Sequence, residues 1–169
     1  METKLRLAGV IRESIVDGPG WRLVVFAQGC PHNCNGCQNP QTHNFIDGYD
    51  STVENILNAV KENPLLSGIT LSGGEPFSQA KHLAVLAREV HSIGLNVMAY
   101  TGWSFEQLYA GANEQNGWLE LLSEVDWLVD GKFEIENKTL SLKFRGSSNQ
   151  RIIDVKKSLA NGLAVEIEL

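Results

Sequence analysis

Cysteine is nearly missing from this chain of 169 residues: Cys30, Cys34 and Cys37 are the only three. Three thiols in one short loop cannot pair off without leaving one over, which excludes a disulfide-stapled fold. No apolar run approaches the ~18 residues that cross a bilayer. Glu2, Lys4, Arg6, Arg12 and Glu13 interrupt any apolar core of a secretion signal. The expected setting is therefore reducing and cytoplasmic. Basic residues are outnumbered, 14 against 20 acidic, for a net charge of −6, and none form a run. Generic nucleic-acid binding is not expected from such a balance. There is also no internal repeat, low-complexity tract or long linker.

What is present is ordinary globular composition, 43% apolar and 20% charged, long enough for one domain, 1–169, with a core of its own. Strands are expected at Arg22 to Gln28, Gly68 to Ser72, Asn96 to Tyr100, Asp126 to Val129 and Ala164 to Leu169. Helices are expected between them. Ser51-Thr52-Val53-Glu54 reads as a capping box ahead of the i, i+3, i+4, i+7 series Val53, Ile56, Leu57, Val60. Ser78 is the expected cap of a second helix, and Ser104 with Gln107 of a third. Alternating strands and helices imply a parallel sheet with crossover helices. A closed eight-fold barrel takes about 250 residues, so a partial, open (βα)5–6 barrel with parallel strands fits this length. Trp103, Trp118 and Trp127 read as core.

The chemically suggestive residues fall where strands end: Cys30, Gly73-Gly74-Glu75, Tyr100-Thr101-Gly102 and Asp130-Gly131-Lys132. In parallel α/β folds, sites form at the carboxyl ends of strands. Tyr100 and Thr101 are expected on the pocket floor. C-x-x-x-C-x-x-C suits thiolate ligation of one metal centre, either an iron–sulfur cluster or a Cys3His zinc site completed by His32 or His43. Three cysteines on a four-iron cluster leave one iron open to a small molecule.

On these motifs the chain resembles the radical S-adenosylmethionine (SAM) enzymes. Within them it is similar to the glycyl-radical activases that serve anaerobic ribonucleoside-triphosphate reductase. The resemblance is carried by Asp17-Gly18-Pro19-Gly20 with Arg22, by Gly29 through Cys37 with Asn39-Pro40 and Thr42, and by Ser72-Gly73-Gly74-Glu75-Pro76. Asp130 to Phe133 and the late run Arg145 to Arg151 complete it. Gly36 stands where many radical SAM proteins place an aromatic residue, and His43 where these activases usually have tryptophan.

The resemblance implies a [4Fe-4S] cluster on Cys30, Cys34 and Cys37, with SAM on the open iron. Reductive cleavage of SAM would give a 5′-deoxyadenosyl radical and then a glycyl radical on the large reductase, which is the implied partner. An electron donor such as flavodoxin is implied as well. The SAM contacts carried over are Gly36, Cys37, Gln38, Gly73, Gly74, Glu75, Asp130 and Lys132. Glu75 would meet the ammonium group, directly or by fixing its loop. A branched side chain at Gly74 would then weaken SAM binding and spare iron uptake. Arg22, Arg145 and Arg151 are candidates for a polar rim. The nearest rival function is activation of another glycyl-radical enzyme, such as pyruvate formate-lyase. A non-catalytic zinc or electron-transfer module is the rival from another class.

Overall fold

A computed structural model describes residues 3–37 and 39–169. One seven-stranded sheet runs through it, in the order β3 (Tyr49–Thr52), β1 (Lys4–Ser14), β2 (Arg22–Ala27), β4 (Gly68–Gly73), β5 (Asn96–Tyr100), β6 (Trp127–Asp130), β7 (Arg151–Asp154). The four central strands, β2, β4, β5 and β6, are parallel. The flanking strands are antiparallel: β1 pairs with β2 and β3, and β7 with β6. The open α/β architecture is as expected, with parallel pairing confined to its centre.

The central strands are apolar on both faces, as parallel strands covered on both sides must be. Leu23 and Val25, Ile69 and Leu71, Val97 and Ala99, Leu128 and Ile153 point to one face. Five helices cover it: α1 (Val53–Lys61), α2 (Ala80–Ser92), α3 (Phe105–Gly111), α4 (Trp118–Glu124) and α5 (Val155–Asn161). Trp103 and Trp118 pack against this core half-buried. No helix among the described residues is long and apolar enough to cross a membrane.

The other face carries Met98, Val129 and Ile152, with Trp127 beside them, and is covered without helices. Phe144, Ile167 and Leu169 pack on it from the C-terminal region, and Gly18 of the loop after β1 lies against Met98 and Arg22. Arg22 is fully buried here. Its guanidinium donates to Pro19 O (2.9 Å), Ile69 O (2.6 Å) and Thr70 Oγ1 (2.7 Å). Burial lowers its pKa to about 10, so it stays cationic at neutral pH. Arg22 is thus a peg that fastens the Asp17–Gly20 loop to the sheet, and is not part of an exposed rim.

Local expectations fail where side chains found other partners. The α1 cap is Thr52, whose hydroxyl accepts the Asn55 N–H, and not Ser51. Ser78 sits inside a 3-10 turn, Pro76–Gln79, whose cap is Glu75. The Ser104–Gln107 capping box is present at α3. The segment 164–169 forms no full strand. Its Glu166 bridges Ile153, while Asp154 N donates to Val165 O (2.9 Å) and Ile167 N to Ile152 O (2.9 Å).

Candidate metal centre

A cavity of about 520 Å³ opens at the carboxyl ends of β2, β4, β5 and β6, within the size range of small-molecule sites. Cys30, Cys34 and Cys37 line it together with Ser72–Gly74, Tyr100–Gly102 and Gly131. The four strand-end loops therefore converge, and Tyr100 and Thr101 lie where expected. The Tyr100 hydroxyl is held well above its ordinary pKa by burial and then by the Asp17 carboxylate.

The thiol loop is shaped mainly by its own backbone. Gly29 N donates to Thr42 O (2.6 Å) and Cys30 N to His43 O (3.0 Å), so the chain doubles back after the third cysteine. Buried Gln28 donates from Nε2 to Gln41 O (3.1 Å), pinning the same return. Cys37 Sγ accepts the Asn39 N–H at 3.4 Å, and the His32 and Phe133 backbone lies close enough to Cys30 and Cys34 to favour their thiolates. Burial pushes the Cys30 thiol up to about 11 and raises Cys34, which the nearby Lys132 ammonium partly offsets. Deprotonation of these thiols is therefore left to a bound metal.

Among the described residues, no three His, Cys, Asp or Glu side chains converge on one ion-sized point. Thiols spread around one cavity suit a cluster, whose irons each take one thiolate, better than a single zinc with every sulfur about 2.3 Å away. The Asn39 amide at Cys37 Sγ and a buried, unpartnered imidazole nitrogen on His43 also fit an anionic cluster. His32 is otherwise engaged: its Nε2 pairs with Glu75, and its ring stands edge-on to Trp103 at 4.7 Å.

The glycine loop differs in detail from the expectation. A Cβ on Gly74 would strike the Gly29 carbonyl and come within 2.9 Å of Thr42 O. One on Gly73 would reach Ala27 N at 2.5 Å, and its φ of +94° disfavours any side chain. These glycines admit the thiol loop, with Gly74 N bonded to Ala27 O (2.8 Å) and Glu75 N to Gly29 O (2.7 Å). Gly74→Val is therefore expected to lower iron uptake and SAM binding together. Iron analysis after anaerobic reconstitution checks this, and normal iron content with SAM binding alone lost would restore the ligand-facing reading.

Glu75 is fully buried, and four protein donors hold its carboxylate. Oε1 accepts from His32 Nε2, Thr101 Oγ1 (2.8 Å) and Gly102 N (2.8 Å), and Oε2 from Phe77 N (3.0 Å). It clamps the thiol loop, the glycine loop and the β5 end, so its effect on any ligand runs through loop position.

Asp130 is equally spent. It is buried, accepts the Phe105 N–H (2.7 Å) and is gripped by Arg151, whose Nε donates at 3.0 Å. Those bonds to Asp130, and further ones to Glu106, raise the Arg151 pKa. Lys132 is exposed. Only Gly131 of that triplet lines the cavity, and the following Phe133 lines it as well. Gly36 lines a separate shallow hollow with Cys34, Cys37 and His43, its missing Cβ facing Ile135. Gln38 lies outside the described residues. Of the three arginines only Arg145 lines the cavity.

Asp17 of the Asp17–Gly20 motif lines the cavity too, but the sequence pattern held no sign of the rest of the wall, Ile11 and Val16 from the β1 side and Leu140, Leu142 and Phe144 from the segment before β7. Only the positive φ of Phe144, 63°, marks that segment as unusual.

Residues 16–153 match the family model described as a 4Fe-4S single cluster domain. The anaerobic ribonucleoside-triphosphate reductase-activating protein of Pasteurella multocida (strain Pm70) is 35% identical over 147 residues, 82% of this chain and 90% of that protein. The chain belongs to this family. The Escherichia coli (strain K12) activating protein is 33% identical over 144 residues, 80% of this chain and 90% of that one. The one from Enterobacteria phage T4 is 35% identical over 147 residues, covering 81% and 86%. The solved structure of QueE from Escherichia coli overlaps 60% of this chain and 54% of its own, with TM-score 0.47 and 16% identity, and adds nothing to the assignment.

Proposed function

We propose that residues 1–169 act as one radical SAM domain that activates an anaerobic ribonucleoside-triphosphate reductase by forming a glycyl radical on it. The observation that carries this is the gathering of all three thiols on one cavity in a chain of the activating-protein family. Cys30, Cys34 and Cys37 would hold a [4Fe-4S] cluster, which with SAM would supply the one-electron reductive chemistry needed to form the partner's glycyl radical. The chain's residues prepare for that chemistry. The Gly29–Thr42 and Cys30–His43 bonds hold the thiols on one side of the cavity. The Glu75 clamp sets the distance between thiol loop and glycine loop. Ser72 and Tyr100 offer hydroxyl groups to SAM, and Arg145 offers a cation to its carboxylate or to the partner. Exposed Val16 and Leu140 on the cavity wall leave an apolar side for the reductase to seal against water. An electron carrier of the flavodoxin type would supply the electron.

With reductant and SAM under anaerobic conditions, the reconstituted protein is expected to give a glycyl radical signal by electron paramagnetic resonance when mixed with the reductase, and none with pyruvate formate-lyase. A radical on the lyase alone would keep the chemistry and overturn the partner.

A further inference from the structure

His43 closes the thiol loop. Its carbonyl accepts the Cys30 N–H at 3.0 Å, and its own amide donates to Pro40 O at 3.2 Å. Its ring lines the cavity shared by the three thiols and also the hollow behind Cys34 and Cys37. The ring Nε2 is buried with no hydrogen-bond partner among the described residues. Such atoms are rare in folded proteins because an unpaired buried polar group loses its bonds to water without replacement. The acceptors this cavity would hold are anionic sulfurs, and the backbone hydrogen bond they receive is that of Asn39 N at Cys37 Sγ.

We propose that the His43 Nε2–H donates a hydrogen bond to an anionic sulfur of the cluster, a thiolate or a sulfide, and eases its one-electron reduction. The inference rests on the cluster reading above. A neutral imidazole carries one N–H, and that donor is what the site lacks a use for when empty of sulfur anions. Reduction adds negative charge to the cluster, so a donor aimed at its sulfur favours the reduced form and raises the potential. His43 acts here as a positioning residue and not as an iron ligand, which leaves the open iron free for SAM.

The test uses the anaerobically reconstituted protein and two variants, His43→Phe and His43→Gln, each checked by circular dichroism and iron analysis. Reduction is followed by electron paramagnetic resonance against redox mediators. His43→Phe is expected to keep its iron while the reduced-to-oxidised ratio, poised at the parent's midpoint, falls about tenfold, a shift of about 59 mV for one electron. His43→Gln keeps an N–H donor and is expected to stay near the parent. Iron lost from the Phe variant alone, with the Gln variant at the parent potential, also supports the donor role. A parent midpoint in His43→Phe overturns it, and so does an equal fall in both variants, which would trace the shift to packing. Iron lost from both folded variants would make His43 a ligand and overturn it as well. A parent that takes up no iron would overturn the cluster reading itself, and iron analysis reports that before any titration begins.

Discussion

Cys34→Ala is expected to reduce SAM cleavage to background and to strip the protein of a stable cluster, and Cys30→Ala and Cys37→Ala to do the same. The parent should bind about four irons and four sulfides after anaerobic reconstitution. Nothing among the described residues replaces a lost thiolate, since His32 is committed to Glu75 and no alternative set of ligands converges nearby. Folding should survive, because the three cysteines are only partly buried and lie outside the apolar core. An unchanged circular dichroism spectrum with lost iron is therefore the expected pair of results. A parent carrying one tightly held zinc and no iron would sink the cluster assignment.

Glu75→Ala is expected to destabilise the fold and the site together. It leaves the Phe77 amide unpaired in a buried spot and the Gly102 amide unpaired in a partly buried one. At roughly 1–3 kcal/mol for each orphaned donor, the two amides alone cost about 2–6 kcal/mol. That is a large share of the 5–15 kcal/mol typical of a folded domain. Glu75→Gln keeps the Oε1 contacts but turns an amide donor toward the Phe77 N–H, so a smaller loss is expected. Urea unfolding of the apoprotein measures both. The outcome that would reinstate direct contact with SAM is Glu75→Gln at parent stability and parent iron content, with SAM affinity alone reduced.

Several residues show why a motif is easier to read than the role of each member. Gly74, Glu75 and Asp130 all sit at strand ends, where the pattern put them, and of the three Gly74 lines the cavity. Their side chains, or the space a side chain would fill, turn toward protein. A strand end marks a position along the chain and says nothing of which neighbour a carboxylate meets. Asp130 meets Arg151 because β7 lies antiparallel beside β6, with Asp130 opposite Arg151 in register. The pairing of β7 with β6 was hidden because Arg151–Asp154 is only four residues long. β1 and β3 escaped notice for a related reason. β3, Tyr49–Thr52, is polar and exposed at the sheet edge, and is held by pairing with β1 and by Arg6 bonded to Asp50.

The sequence by itself determined the chemistry: three thiols at metal-ligand spacing, a glycine loop, and a set of strand ends that had to share a face. These are local properties, written in spacing and in strand-to-loop transitions, so they survive without coordinates. The family assignment rests on similarity across most of the chain. Only the tertiary structure decided who holds whom. It turned Arg22 into a buried peg, Glu75 into a three-way clamp and Asp130 into the partner of Arg151. It also brought the Phe133 backbone close to Cys34 and built the far wall from Ile11, Val16, Leu140 and Phe144, residues without a motif. Those roles depend on contacts between residues distant in sequence, and a long-range contact is set by the packing of whole elements. No local pattern of residues encodes it.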